Sequence, residues 1–156
     1  DQLTDLYNRE AIFDWLANQK ELIRSLACLL IDIDNFKNVN DHYGHHAGDT
    51  VIKAFASLCQ SAVNSNGIVG RWGGEEFLVL LPNASLDNSV ALAETIRENM
   101  ETKGCHYGDI CIRTTVSIGI SIGHAPLAIS QFEKLLKQAD EKMYVAKNSG
   151  KNRVIS

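Results

Sequence analysis

The stretch Ala27-Cys28-Leu29-Leu30-Ile31-Asp32-Ile33 runs apolar without alternation until it ends in charge. A strand with one wet face alternates apolar and polar residues. A strand covered on both faces reads as a continuous apolar run. This segment therefore predicts a buried central strand with cover on each side. At 156 residues the chain is the length of one domain. A domain of that size buries roughly 68–70% of its unfolded surface, enough for a core without staples.

The remaining patterns supply the covering layers. Asn8 or Asp5 is placed to cap a first helix carrying Ile12, Trp15, Leu16, Leu22, Ile23 and Leu26. A polar, glycine-containing loop is expected after the central strand. Beyond it, Val51, Ile52, Phe55, Leu58, Cys59 and Ala62 mark one helical face. Ile68 to Trp72 and Phe77 to Leu81 read as two strands joined at Gly73-Gly74 and closed by Pro82. A helix from about Leu86 to Glu101 buries Val90, Ala93, Ile96 and Met100. From Ile112 to Ile122 apolar residues fall largely on alternate positions, predicting a strand or strand pair with one buried face and one face of small polar groups. The capping box Ser130-Gln131-Phe132-Glu133 is expected to open a last helix with the stripe Phe132, Leu135, Leu136, Ala139, Met143 and Ala146, which Gly150 stops. The fold class is α/β in the broad sense (α+β), one domain over residues 1–156, with a mainly antiparallel central sheet covered by helices.

Charge and cysteine usage remove several function classes. A formal net charge of −4 argues against a nucleic-acid surface, which needs clustered lysine and arginine. Cys28, Cys59, Cys105 and Cys111 form no C-x-x-C pair and lie in apolar stretches, as packed, reduced thiols of a cytoplasmic protein do. No apolar run approaches the roughly 18–20 residues that cross a bilayer, and no signal peptide opens the chain, so a soluble domain without direct membrane contact is expected. The abrupt start at Asp1-Gln2-Leu3-Thr4 suggests a fragment of a longer protein.

Two places break the hydrophobic pattern, and such breaks are where chemistry is expected. Asp32 and Asp34 leave the tip of the buried strand, where ligands are commonly held. Glu75-Glu76 follows the Gly-Gly turn directly; adjacent strand residues point to opposite faces, so only one of the two is expected to share a site with Asp32. An Asp and a Glu converging from neighbouring strands make an all-oxygen site suited to Mg²⁺ or Mn²⁺, which take one or two carboxylates and fill the rest from substrate phosphates. Between the breaks, turn N–H groups and Lys37 could cradle a triphosphate. Asn40 offers an amide and Asp49 a carboxylate, whose two acceptors match the ring N–H and amino donors of guanine; adenine presents an acceptor instead. His42, His45 and His46 have irregular spacing and no accompanying cysteine, which disfavours zinc.

These residues fall into five ordered blocks: Asp1-x-Leu3-Thr4-Asp5-Leu6-x-Asn8-Arg9; Asp32-Ile33-Asp34-x-Phe36-Lys37-x-x-Asn40-Asp41; Gly44-His45-x-x-Gly48-Asp49; Arg71-Trp72-Gly73-Gly74-Glu75-Glu76-Phe77 with Val116-Ser117-Ile118-Gly119; and Ala139-Asp140-x-x-Met143-Tyr144-x-Ala146-Lys147-x-x-Gly150. Over essentially its whole length the chain resembles a GGDEF domain of the diguanylate cyclase family. The resemblance implies a fold like the palm of nucleotidyl cyclases and polymerases, with a βααββαβ-type core. It implies condensation of two GTP molecules into cyclic di-GMP with release of two pyrophosphates. By position, Asp32, Glu75 and the carbonyl of Ile33 would hold Mg²⁺ or Mn²⁺, with Glu75 also the proton acceptor and Glu76 a catalytic-site carboxylate that is either a further metal ligand or a support for the site. Phe36 and Lys37 would meet the phosphates beside Gly73 and Gly74, with Lys37 also catalytic in offsetting charge in the transition state. Asn40 and Asp49 would read guanine with His45 close by, and Lys147 would reach the triphosphate. Lys151 stands where the family commonly has arginine, keeping charge without bidentate geometry.

The same resemblance carries expectations about regulation. The product-inhibition motif R-x-x-D would fall at Asn64-Ser65-Asn66-Gly67, which has neither charge. Each domain of this kind holds one GTP, so catalysis would need a second copy facing it, usually brought by an upstream sensor or dimerisation domain. The isolated domain is expected to be mostly monomeric, and weakly active or inactive when dilute. The alternative is a catalytically silent GTP-binding regulatory domain, disfavoured because the expected metal and guanine positions are all present.

Overall fold

The computed structural model describes residues 1–19 and 21–156 and places the apolar run at the centre of a five-stranded sheet. In chain order the elements are α1 (Arg9–Gln19), β1 (Ser25–Ile33), α2 (Phe36–Tyr43), α3 (His45–Val63), a 3-10 turn (Asn64–Asn66), β2 (Ile68–Arg71), β3 (Glu76–Pro82), α4 (Leu86–Lys103), β4 (Cys105–Tyr107), β5 (Ile110–Ile112), β6 (Val116–His124), α5 (Ile129–Asn148) and β7 (Arg153–Ile155). The sheet order is β2-β3-β1-β6-β7, and β4-β5 is a separate hairpin. β1 runs antiparallel to both β3 and β6, and β6–β7 is parallel. With the β4-β5 hairpin set aside, β1-α2-α3-β2-β3-α4-β6 is the expected βααββαβ core.

Two apolar layers explain the unbroken run. Ala27, Leu29, Ile31 and Ile33 pack with Val51, Phe55 and Ile96 from the α3/α4 side. Leu26, Cys28 and Leu30 pack with Ile12, Phe132 and Met143 from α1 and α5. Both sets are withdrawn from water, so neither face needs polar residues.

Four local expectations are corrected. Leu22, Ile23 and Leu26 lie beyond α1: β1 pairs with β6 from Ser25 onward, which takes Leu26 into the sheet, while Leu22 stays exposed. The loop expected at 35–49 is two helices, because Val39, Ala47 and Val51 have an apolar layer to bury against and packing outweighs turn composition. The face of small polar residues on β6 is not open: Ser117 and Ser121 are buried there. Ser130 does not cap α5, which starts one residue earlier at Ile129; Ala128 takes the capping position, its carbonyl accepting from the N–H groups of Gln131 and Phe132, while Leu127 is anchored in the core.

Cys28, Cys59 and Cys105 are buried, but Cys111 is exposed. Burial pushes the Cys28 thiol up to about 12, with a Ser121 hydrogen bond opposing. Burial also raises Cys59 and Cys105. Since the thiolate is the reacting form, alkylation of the native domain is expected to stop at one adduct, on Cys111. Intact mass followed by peptide mapping checks this, and early labelling of Cys28 or Cys59 would contradict it.

Candidate active site

The site is built where β1 ends. Asp32 lies on the same sheet face as Leu30, toward α5, and is opposite Glu76 in the β1–β3 register. Glu76 opens β3 just past the Gly73-Gly74 turn. The turn is held from below: Trp72 and Gly73 N–H groups donate to the Glu76 carbonyl at 2.8 and 3.1 Å. Arg71 donates to the Gly74 carbonyl from Nη2 at 2.9 Å and Nε at 3.1 Å. A side chain on Gly73 would stand 3.2 Å from Glu76 Oε2, so the glycine leaves room for that carboxylate.

Glu75 is tied to β1 by backbone: its carbonyl accepts from the Ile33 N–H at 3.2 Å. It sits before the strand begins, so strict alternation does not separate it from Glu76, and the charges of both act on Asp32 or are acted on by it. Burial raises the Asp32 carboxyl above its ordinary value; Lys147 pulls it back, and Glu75 and Asp34 push it further. Burial is also the first cause of the raised Glu76, followed by the charges of Asp32, Asp140 and Glu75, with Arg9 opposing. Arg9 is itself placed over the Trp72 ring, 4.3 Å from its centroid. A crowd of carboxylates that resist sharing negative charge is a place where a cation is electrostatically favoured.

Lys147 reaches in from the last turn of α5, its Nζ 3.1 Å from Asp32 Oδ1 and 2.7 Å from Asp34 Oδ1. Lys151 donates to Asn35 Oδ1 at 2.6 Å, just ahead of α2. Lys37 is exposed in the first turn of α2, and Phe36 is half-buried against the core. Asn40 lies on α2, while His45 and Asp49 open α3 across the Gly44 corner and are exposed. Asn40 rests directly against Gly48, where an added Cβ would lie 2.9 Å from Asn40 Cγ and 3.1 Å from Phe36 Cζ. The helix pair thus brings Asn40 beside the residue preceding Asp49.

Sequence reasoning did not assign Asp140 or Tyr144. With Asp32, Glu76 and Lys147 they line a cleft of about 620 Å³. Their spacing with Lys147, at i, i+4 and i+7 on one helix, was the available signal. Among the described residues no three His, Cys, Asp or Glu side chains converge closely enough to hold a metal unaided. The donors present fit a hard divalent ion that takes one or two carboxylates and completes its shell from phosphate and water.

The mostly antiparallel sheet with helices on both faces, carrying an acidic cluster at the end of its central strand, defines a mixed α/β domain. Residues 1–153 match the family profile described as "Diguanylate cyclase, GGDEF domain", and the chain belongs to that family. It is 36% identical over 156 residues to the probable diguanylate cyclase DgcF of Escherichia coli K12, covering 98% of this chain and 50% of that protein. Diguanylate cyclase SiaD of Pseudomonas aeruginosa, solved with its activator SiaC, superposes with a TM-score of 0.90 at 32% identity, over 99% of this chain and 60% of that one. The active GGEEF domain of a diguanylate cyclase from Vibrio cholerae superposes with a TM-score of 0.84 at 32% identity, over 97% of each chain. The chain spans half or less of the length of the curated relatives it matches. No helix among the described residues is long and apolar enough to cross a membrane.

Proposed function

We propose that this domain condenses two GTP molecules into cyclic di-GMP and two pyrophosphates, with Mg²⁺ or Mn²⁺, where two copies of the domain face each other. The observation that carries the reading is the meeting of Asp32 with the Glu75-Glu76 turn on one side and Lys147 on the other, directly ahead of α2. A divalent ion held by Asp32, Glu75 and the Ile33 carbonyl would neutralise triphosphate charge and favour ionisation of the attacking 3′-hydroxyl. In each step that oxygen bonds the α-phosphorus of the facing GTP, the bond to pyrophosphate breaks, and Glu75 accepts the hydroxyl proton. Lys37, Lys147, Lys151 and the backbone at Phe36, with Gly73 and Gly74 flanking, hold the phosphates. Asn40 and Asp49 select guanine beside His45.

The domain works in the cytoplasm, where GTP is available, as part of a longer protein whose upstream segment brings two copies together. The turn Asn64–Asn66 offers neither arginine nor aspartate, which supports synthesis without a product brake at that position. Tight cyclic di-GMP binding abolished by substitutions at 64–67 would overturn that part. The main test fuses the domain to a dimeric coiled coil and supplies GTP and Mg²⁺, with products separated by anion exchange. Cyclic di-GMP is expected. GTP binding without product would instead support a silent regulatory domain, and no GTP binding would end both readings.

Gly48→Ala separates recognition from folding. The added methyl displaces the Asn40 amide, a movable group, and alanine is favoured over glycine in a helix by about 1 kcal/mol. Thermal stability is therefore expected to hold or rise, while GTP affinity falls roughly tenfold, the scale of one lost hydrogen bond to a ligand. Calorimetry beside a melting curve reads both. Unchanged affinity would remove Asn40 from the guanine pocket.

A further inference from the structure

Asp34 has no step in the proposed chemistry, yet it is 1% exposed and both of its oxygens are engaged. Oδ1 accepts from the Ser117 hydroxyl and the Lys147 ammonium, each at 2.7 Å. Oδ2 accepts from the Thr115 hydroxyl at 2.7 Å and the Asn152 N–H at 3.0 Å. Its backbone is tied as well: the N–H donates to the Thr115 carbonyl at 2.8 Å, and its carbonyl accepts from the Thr114 hydroxyl at 2.7 Å. A charge buried this deeply survives only with such saturation.

What the bonds reach is more telling than their number. One partner, Lys147, is shared with Asp32. Another is the backbone of Asn152, the residue after Lys151, at a point where Lys151 and Asn152 both hold positive φ, 61° and 46°. That conformation is uncommon for residues with side chains and needs an outside anchor. It turns the Lys151 ammonium onto Asn35 Oδ1, beside the start of α2. The buried carboxylate therefore contacts one lysine of the site directly and holds the chain that aims the other.

We propose that Asp34 is a positioning residue that places Lys147 and Lys151 at the mouth of α2 and so organises the cationic side of the triphosphate site. This rests on the GTP reading for its ligand, but the placement of the lysines can be read without nucleotide. A carboxylate that merely stitched β1 to β6 would affect stability and leave both lysines as they are.

Amine acylation by a succinimidyl ester, mapped by mass spectrometry without nucleotide, reads the placement. Asp34→Asn is expected to raise labelling of Lys147 and Lys151 several-fold, with exposed Lys53 and Lys134 unchanged. Thr115→Val, which removes one bond from the segment just ahead of β6 but keeps the charge, is expected to lower the melting temperature and leave the lysines unaltered. Affinity for guanosine 5′-(α,β-methylene)triphosphate with Mg²⁺ should fall roughly tenfold in Asp34→Asn, the scale of a lost charge-assisted bond, while GMP affinity stays within about twofold.

The proposal falls if lysine labelling is unchanged in Asp34→Asn, if Thr115→Val alters it equally, or if both nucleotides weaken in parallel. Should the parent bind neither nucleotide, the GTP reading fails and the labelling still decides the role of Asp34. Should Asp34→Asn not fold, nitrogen-15 NMR of the parent decides it: Lys147 and Lys151 ammonium protons must exchange measurably slower than those of exposed Lys37, and equal exchange overturns the placement.

Discussion

Gly119→Ala is expected to destabilise the domain by about 3 kcal/mol or more, the upper range for forcing extra volume into a packed core. Gly119 is opposite Leu30 in the β1–β6 register and so faces α5. A Cβ there would run into the Ala139 carbonyl oxygen and the Met143 nitrogen, and would stand 3.0 Å from the Lys142 carbonyl carbon. All three are backbone atoms of a 20-residue helix, so no side chain can swing aside and α5 itself must move. The neighbouring positions confirm how closely the helix lies: Ser121 donates from its hydroxyl to the Leu135 carbonyl at 2.7 Å. Moving α5 also moves Lys147, so GTP affinity is expected to fall with stability. Gly74→Ala is the control, because nothing lies within 4 Å of the added methyl. Urea denaturation of the two variants should differ plainly; equal midpoints would refute the close contact.

Glu75→Ala is expected to lower cyclic di-GMP formation by a factor on the order of 1,000 or more, about 4 kcal/mol of transition-state stabilisation. The same side chain would supply a metal donor and the proton acceptor, and no neighbour has both roles. The fold should not suffer. Asp32 and Glu76 have raised folded-state values, so their charged forms are disfavoured in the native site, and each contributes stability that is lost as pH rises through its folded value. Removing the Glu75 charge relieves part of that repulsion. A small gain in melting temperature is expected near neutral pH, fading as acid protonates the neighbours. Turnover within tenfold of the parent, measured in the enforced dimer, would take Glu75 out of the chemistry.

The two substitutions mark different depths of legibility. Asp32 and Glu75 were visible because charge interrupts apolar pattern, and an interruption needs only the linear order of residues to be seen; Lys147 was visible only through the family resemblance. The layered sheet was visible for the same reason, since a run without alternation implies cover on both faces. Helix ends were less legible: α2 and the start of α3 occupy a stretch rich in Asn, Asp and His, and they form because Val39, Ala47 and Val51 find an apolar layer. Ser117, Gly119 and Ser121 fall on what reads as the face of small polar groups opposite the buried one, whereas they are the surface on which α5 lies.

By itself, then, the sequence determined the buried strand, the acidic break at its end, the glycine turn that delivers two more carboxylates, and the family to which they point. Tertiary structure alone decided that Asp34 is saturated from three separate segments, that Lys147 bridges two aspartates, and that α5 rests on the backbone of β6. Periodicity is a property of neighbours along the chain, so it survives in one dimension. The partner of a buried charge and the room left by a glycine depend on atoms as many as 118 residues away, which only the folded packing brings within reach.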